Sequence, residues 1–195
     1  MTIRRGVRLL VAAVALLVPL AAIPFVTTSA AGAQEAPQAP LVQTLTYDIS
    51  QAEEFAADWE AGAAIWNETV QNVRLEKAAP GGKENIRVLA DDHWPRAQVT
   101  SLGNGTVWMG RTAVNDGYKI TRIAAHELGH ILGLPDRRTG LCEDLMSGSS
   151  APISCQNDHP NAAESAEVES NFSGSGAALK AVDAYVGGYD NCYVY

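Results

Sequence analysis

Basic side chains are scarce in this sequence: 14 lysines and arginines stand against 22 aspartates and glutamates in 195 residues, a formal net charge of −8. Such a surface repels phosphate backbones and anionic lipid, which argues against nucleic acid and membrane surfaces as partners. Cysteine is rarer still, with only Cys142, Cys155 and Cys192, so one intramolecular pair can form and one thiol is left over. Beyond residue 26 no stretch is long and apolar enough to span a bilayer. The early apolar run, Leu9 to Val26, follows Arg4, Arg5 and Arg8, is interrupted by Pro19 and Pro24, and leads to Ala31-Gly32-Ala33, a small-residue cleavage pattern. That combination reads as a secretory signal over residues 1–33 rather than an anchor. Its removal takes three basic and no acidic side chains, leaving a net charge of about −11 on a secreted, extracellular protein.

Histidine is also sparse, four in all, yet two fall in Ala125-His126-Glu127-Leu128-Gly129-His130-Ile131-Leu132-Gly133-Leu134-Pro135-Asp136. On a helix, residues four apart share a face, so His126 and His130 project together as two nitrogen donors for one Zn²⁺. Glu127 lies one residue off that axis, placed to reach a water at the ion, where a general base belongs. Gly133 can end the helix in a left-handed conformation, and Pro135 forbids its resumption. The turn this forces can bring Asp136 back as a third ligand, leaving the fourth position open as catalytic zinc requires. Ile123, Ala124, Leu128, Ile131 and Leu132 give the helix, placed at about Thr121 to Leu132, an apolar frame.

Elsewhere the pattern predicts a single domain. Leu41 to Ile49 alternates as a first strand, and Ser50 with Glu53 offers a capping box for a helix whose Phe55, Trp59, Ala63, Trp66 and Val70 form an apolar stripe. Val73 to Lys77 and Ile86 to Ala90 read as strands; Gln98 to Leu102 and Thr106 to Arg111 read as a strand pair around Gly103-Asn104-Gly105. Asp91-Asp92-His93 reads as a solvated loop rather than a second metal site. Pro160 opens a last helix running to about Phe172, and Ser173-Gly174-Ser175-Gly176 is a flexible linker.

The string His126-Glu127-x-x-His130-x-x-Gly133-x-x-Asp136, followed by Leu145-Met146-Ser147-Gly148, resembles the metzincin metalloproteases, specifically the snapalysins, small secreted neutral proteases of Streptomyces-type bacteria with aspartate as third ligand. The resemblance runs from about Leu41 to Phe172 and includes Ala64-Ile65-Trp66-Asn67 and Pro160-Asn161-Ala162. It implies a methionine turn in which Met146 forms an apolar floor beneath the imidazoles. It supports pairing of Cys142 with Cys155, a loop of about 14 residues worth about 3 kcal/mol in an exported protein. Cys192 is then a free thiol or an intermolecular partner. The resemblance also implies a cleft-edge strand for substrate, for which Val107-Trp108-Met109-Gly110 is the candidate. Two positions depart from the family. Its calcium site, just ahead of the zinc helix, would use Thr121, but Lys119 occupies the acidic position, and an ammonium cannot ligate Ca²⁺. Arg138 stands where a tyrosine is usual and could contact substrate or an oxyanion.

The expected architecture is α+β: a metzincin-like domain over residues 41–172, with a mixed twisted sheet, two long helices, the methionine turn and a C-terminal helix. Residues 34–40 are expected to be a linker or short pro-segment, and 173–195 a flexible C-terminal extension. The expected function is a zinc-dependent endopeptidase, monomeric, acting on peptide or protein. The rivals are a catalytically inactive secreted zinc-binding protein and a zinc amidase acting on peptidoglycan.

Overall fold

The computed structural model describes residues 42–174 and 192–195. The secretory segment, the linker up to residue 40 and most of the C-terminal extension therefore lie outside the described residues.

Six strands form one mixed sheet: β1 (Gln43–Gln51), β2 (Val73–Lys77), β3 (Ile86–Asp91), β4 (Arg96–Ser101), β5 (Asn104–Gly110) and β6 (Cys192–Val194). Their spatial order is β2-β1-β3-β5-β4-β6. β1 pairs in parallel with β2 and β3, and β3 pairs in parallel with β5, whereas β4 runs antiparallel to β5 and β6. In β1 every second residue from Leu45 to Ile49 is buried while Gln43, Thr44 and Ser50 are exposed, the period-two pattern of a strand with one face on a core.

Helix α1 (Ala56–Thr69) connects β1 to β2, and α2 (Arg111–Asn115), α3 (Ile120–Ile131) and α4 (Ala162–Asn171) lie between β5 and β6 in the chain. Trp59 and Trp66 of α1 are completely buried. A Cβ at Gly62 would stand 3.0 Å from the Ala125 amide nitrogen, so its absence lets α1 and α3 approach closely. Trp66 Nε1 then donates to the Ala125 carbonyl at 2.8 Å, tying the stripe of α1 to the helix that carries the histidines.

Three expectations are corrected here. β5 is not at a sheet edge, because β3 pairs along one side of it and β4 along the other; the Val107-Trp108-Met109-Gly110 segment has no backbone left to offer a peptide. Beyond β5 the antiparallel strands β4 and β6 complete that side of the sheet. The Ser50/Glu53 capping box is also absent: Ser50 bonds the Asp48 carboxylate through both its amide and hydroxyl, and Glu53 turns to Arg111. A side chain two residues back competes for Ser50 before a helix end can use it. Lastly, the extension expected to be flexible ends in β6, whose backbone continues the sheet beyond β4.

Candidate metal centre

α3 buries Ile123, Ala124, Leu128 and Ile131, and His126 and His130 are 0% and 1% exposed. Its end is a Schellman turn: Gly133, at φ 92°, donates to the His130 carbonyl, and Leu134 donates to that of Gly129, both at 2.9 Å. The turn aims the Leu134 carbonyl back at His130, where it meets Nδ1 at 2.8 Å; the Leu145 carbonyl meets His126 Nδ1 at 2.9 Å. Each carbonyl fixes a proton on Nδ1 and leaves the Nε2 lone pair facing inward.

Those two Nε2 atoms lie 3.0 Å apart, and Asp136 Oδ1 lies 3.4 Å from that of His126 and 3.7 Å from that of His130. Three acceptors thus face one another, and Asp136 Oδ1 is buried without a hydrogen-bond partner among the described residues. A cation at their centre would satisfy all three acceptors at once. Donors about 2.0–2.1 Å from a tetrahedral ion lie about 3.3 Å from each other, so the spacing fits one small divalent metal. Among the described residues this is the group of three or more His, Cys, Asp or Glu side chains able to hold one. Burial, then the neighbouring His126, presses the His130 pKa down to about 3, keeping the imidazole neutral. Burial works to raise the Asp136 pKa, but the imidazoles and Arg138 outweigh it and hold the carboxyl below its usual range.

Glu127 is fully buried, and neither carboxylate oxygen has a hydrogen-bond partner among the described residues. Burial first and Asp136 second raise its pKa well above the usual carboxylate value. Such a carboxylate is a strong proton acceptor once a water reaches it.

The loop from Cys142 to Cys155 supports the histidines. A disulfide joins the two cysteines, with Cα atoms 5.5 Å apart. Met146 is fully buried, and a Cβ at Gly129, the residue before His130, would stand 2.6 Å from its sulfur. Gly148, at φ 56°, passes so near His126 that a Cβ there would come within 3.1 Å of the ring. Arg122, buried one turn before His126, donates to the carbonyls of Asn157 and Asp144 at 2.7 Å, and more loosely to those of Cys142 and Leu145.

Glu164 is a functional support that the motif did not reveal. Its carboxylate, 3% exposed, accepts the amides of Leu145 and Met146 at 3.1 and 2.7 Å, and that of Asn161 at 2.8 Å. The last bond belongs to a capping box at the start of α4, so Asn161-x-x-Glu164 was the available signal. Glu164→Ala strands three amides in a dry interior, and the expected loss of stability is about 3 kcal/mol or more, read as a lowered denaturant midpoint. An unaltered midpoint would show that the amides find other partners.

Other expected residues are placed as follows. Arg138, at φ 49°, donates to Asp136 Oδ2 and to Ser149 Oγ at 2.9 and 3.0 Å, so its guanidinium braces the candidate ligand. Lys119 Nζ meets Asp158 at 2.6 Å and the Gln156 carbonyl at 2.9 Å, while Thr121 Oγ1 donates to Asp58. An ammonium thus sits among oxygens there. Asp91 and Asp92 pair with Arg96 and Arg111.

Comparison with known proteins bears on this geometry. The sequence model of the Streptomyces extracellular neutral proteinase (M7) family matches residues 42–174. The chain belongs to that family. A protein of Streptomyces sp. (strain C5) named extracellular small neutral protease is 37% identical over 142 residues, covering 73% of this chain and 62% of that one. One of the same name from Streptomyces coelicolor is 38% identical, covering 66% and 59%. Another, from Streptomyces caespitosus, is 39% identical over 64% of this chain and 93% of its own length. The chain therefore spans about three fifths of the first two relatives and nearly all of the third. M7 membership implies a metal, and the cluster of His126, His130 and Asp136 lies within the matched residues. No described helix is long and apolar enough to cross a membrane.

Proposed function

We propose that this M7 chain is a secreted zinc endopeptidase, with His126, His130 and Asp136 as ligands, Glu127 as general base and Met146 in a methionine turn. The observation that carries the reading is the convergence of two clamped imidazoles and a partnerless carboxylate oxygen beside an equally partnerless buried acid. Zn²⁺ suits two nitrogens and one oxygen with a fourth position open, and when bound it supplies Lewis acidity that brings the pKa of a water toward neutrality. Glu127 accepts the proton as that water's oxygen bonds to the peptide carbonyl carbon. The same carboxyl then delivers the proton to the departing nitrogen as the C–N bond breaks, so atoms and charge balance and Glu127 returns to its starting state. Arg138, by neutralising the second oxygen of Asp136, keeps the first aimed at the ion.

The names of the relatives support protein as substrate and an extracellular location. The export signal over residues 1–33 agrees with both, as does the disulfide, which belongs in an oxidising compartment. Lys119 takes the place of a calcium ion by offering its own cation to Asp158 and Gln156. The expected result is that purified secreted protein cleaves casein, that a chelator of divalent metals abolishes cleavage, and that Zn²⁺ restores it. Cleavage that survives complete metal removal, verified by elemental analysis, would overturn the reading. Release of amino sugars or cell-wall peptides with casein untouched would point to an amidase.

A further inference from the structure

β6 lies antiparallel to β4 in the register Arg96 to Val194, Ala97 to Tyr193 and Gln98 to Cys192. The pairing continues through Tyr195, whose amide donates to the Pro95 carbonyl at 2.9 Å. Tyr195 is only 3% exposed. Its ring packs edge-on against His126, with centroids 4.9 Å apart and planes at 82°, and against Tyr118 at 5.5 Å. Its carbonyl accepts from Ser149 Oγ at 3.0 Å, beside the Arg138 guanidinium that bonds the same hydroxyl. Residues 192–195 thus run along β4 and bring Tyr195 onto one of the candidate zinc ligands.

An extended peptide that adds to a sheet needs an edge with free amides and carbonyls, and β4 without β6 is such an edge. A substrate carbonyl must also approach the ion and Glu127, and Tyr195 packs against His126, the residue next to Glu127 in the chain. Glu127 itself is fully buried, although a hydrolytic base must meet water. From these contacts we propose that residues 192–195 occupy the peptide-binding edge of the site and act as an intramolecular competitor of substrate. The inference rests on the endopeptidase reading for its consequence, but the binding itself can be measured without it.

Competition of this kind raises KM and leaves kcat alone, because the fully engaged substrate meets an unaltered site. A tethered segment acts at an effective concentration of about 1 mM, so one whose free form binds at about 0.1 mM would raise KM about tenfold. The test compares the 195-residue chain with one ending at residue 191 and with Tyr195→Pro, which removes both the ring and the amide that pairs with Pro95. Both variants are expected to show KM lowered about tenfold, with kcat and zinc content unchanged. A fluorescent peptide of residues 188–195, carrying Cys192→Ser, should bind the shortened chain in an anisotropy titration and be displaced by substrate. Its binding should persist in the shortened Glu127→Gln protein, which does not depend on turnover.

Equal KM in all three proteins together with no peptide binding would overturn the proposal. Should no form hydrolyse peptide, the endopeptidase reading falls, and the anisotropy titration alone decides whether the segment binds. If the shortened chain fails to fold, Tyr195→Pro in the 195-residue chain supplies the same comparison.

Discussion

Glu127→Gln is expected to hold zinc as tightly as the parent while its peptide hydrolysis falls by about 10²–10⁴-fold, the range that a positioned acid–base group contributes. The amide has the same shape and, like the carboxylate, stands apart from the three ligand atoms, so it does not disturb the metal. It has no basic oxygen to accept the water's proton and no proton to give the leaving amine. Removing a buried carboxylate that bonds to nothing also relieves desolvation, so the variant should be at least as stable as the parent. Zinc content, unfolding midpoint and initial rate, measured on one preparation, separate these effects. A rate within a factor of two of the parent would assign proton transfer to some other group.

Asp136→Ala should weaken zinc binding by more than about 100-fold, since even the partners that orient ligands are worth 10–100-fold each. Two controls sharpen the result. Asp158→Ala removes the carboxylate that pairs with Lys119 and His159, and Asp116→Ala removes an exposed acid after α2; neither should alter metal affinity. Competition against a coloured chelator gives the three constants, and equal values would remove Asp136 from the ligand set. Asp136→Ala also leaves the Arg138 guanidinium beside the two imidazoles without the charge it neutralises, so the loss should exceed that of a single donor.

Spacing along one helix made the candidate centre legible in the sequence. His126 and His130 four apart, Gly133 at the only place where the helix can reverse, and Asp136 three beyond are local relations, and local geometry carries them into space unchanged. The helix bounds, predicted as Thr121 to Leu132, fall within one residue of α3. Relations between distant parts were harder to see. Nothing local shows that β5 lies inside the sheet between β3 and β4, since β4 and β5 both alternate and both are short. The order β3-β5-β4 is decided by parallel pairing across the sheet. Ser50 and Glu53 matched a capping pattern, but Asp48 and Arg111 made stronger offers. The placement of residues 192–195 depends on an edge assembled from residues almost a hundred positions earlier, which no window along the chain contains.

Arg122 binds four main-chain carbonyls from its seat on α3, three of them belonging to the segment that also steadies His126. Segment and helix are in effect riveted together by a guanidinium with no water to fall back on. Heat or denaturant cannot loosen one from the other by small steps, because every partial opening abandons a charged group in a dry place. The geometry of the candidate centre should therefore survive up to the main melting transition and vanish with it, so that its function fails abruptly rather than fading.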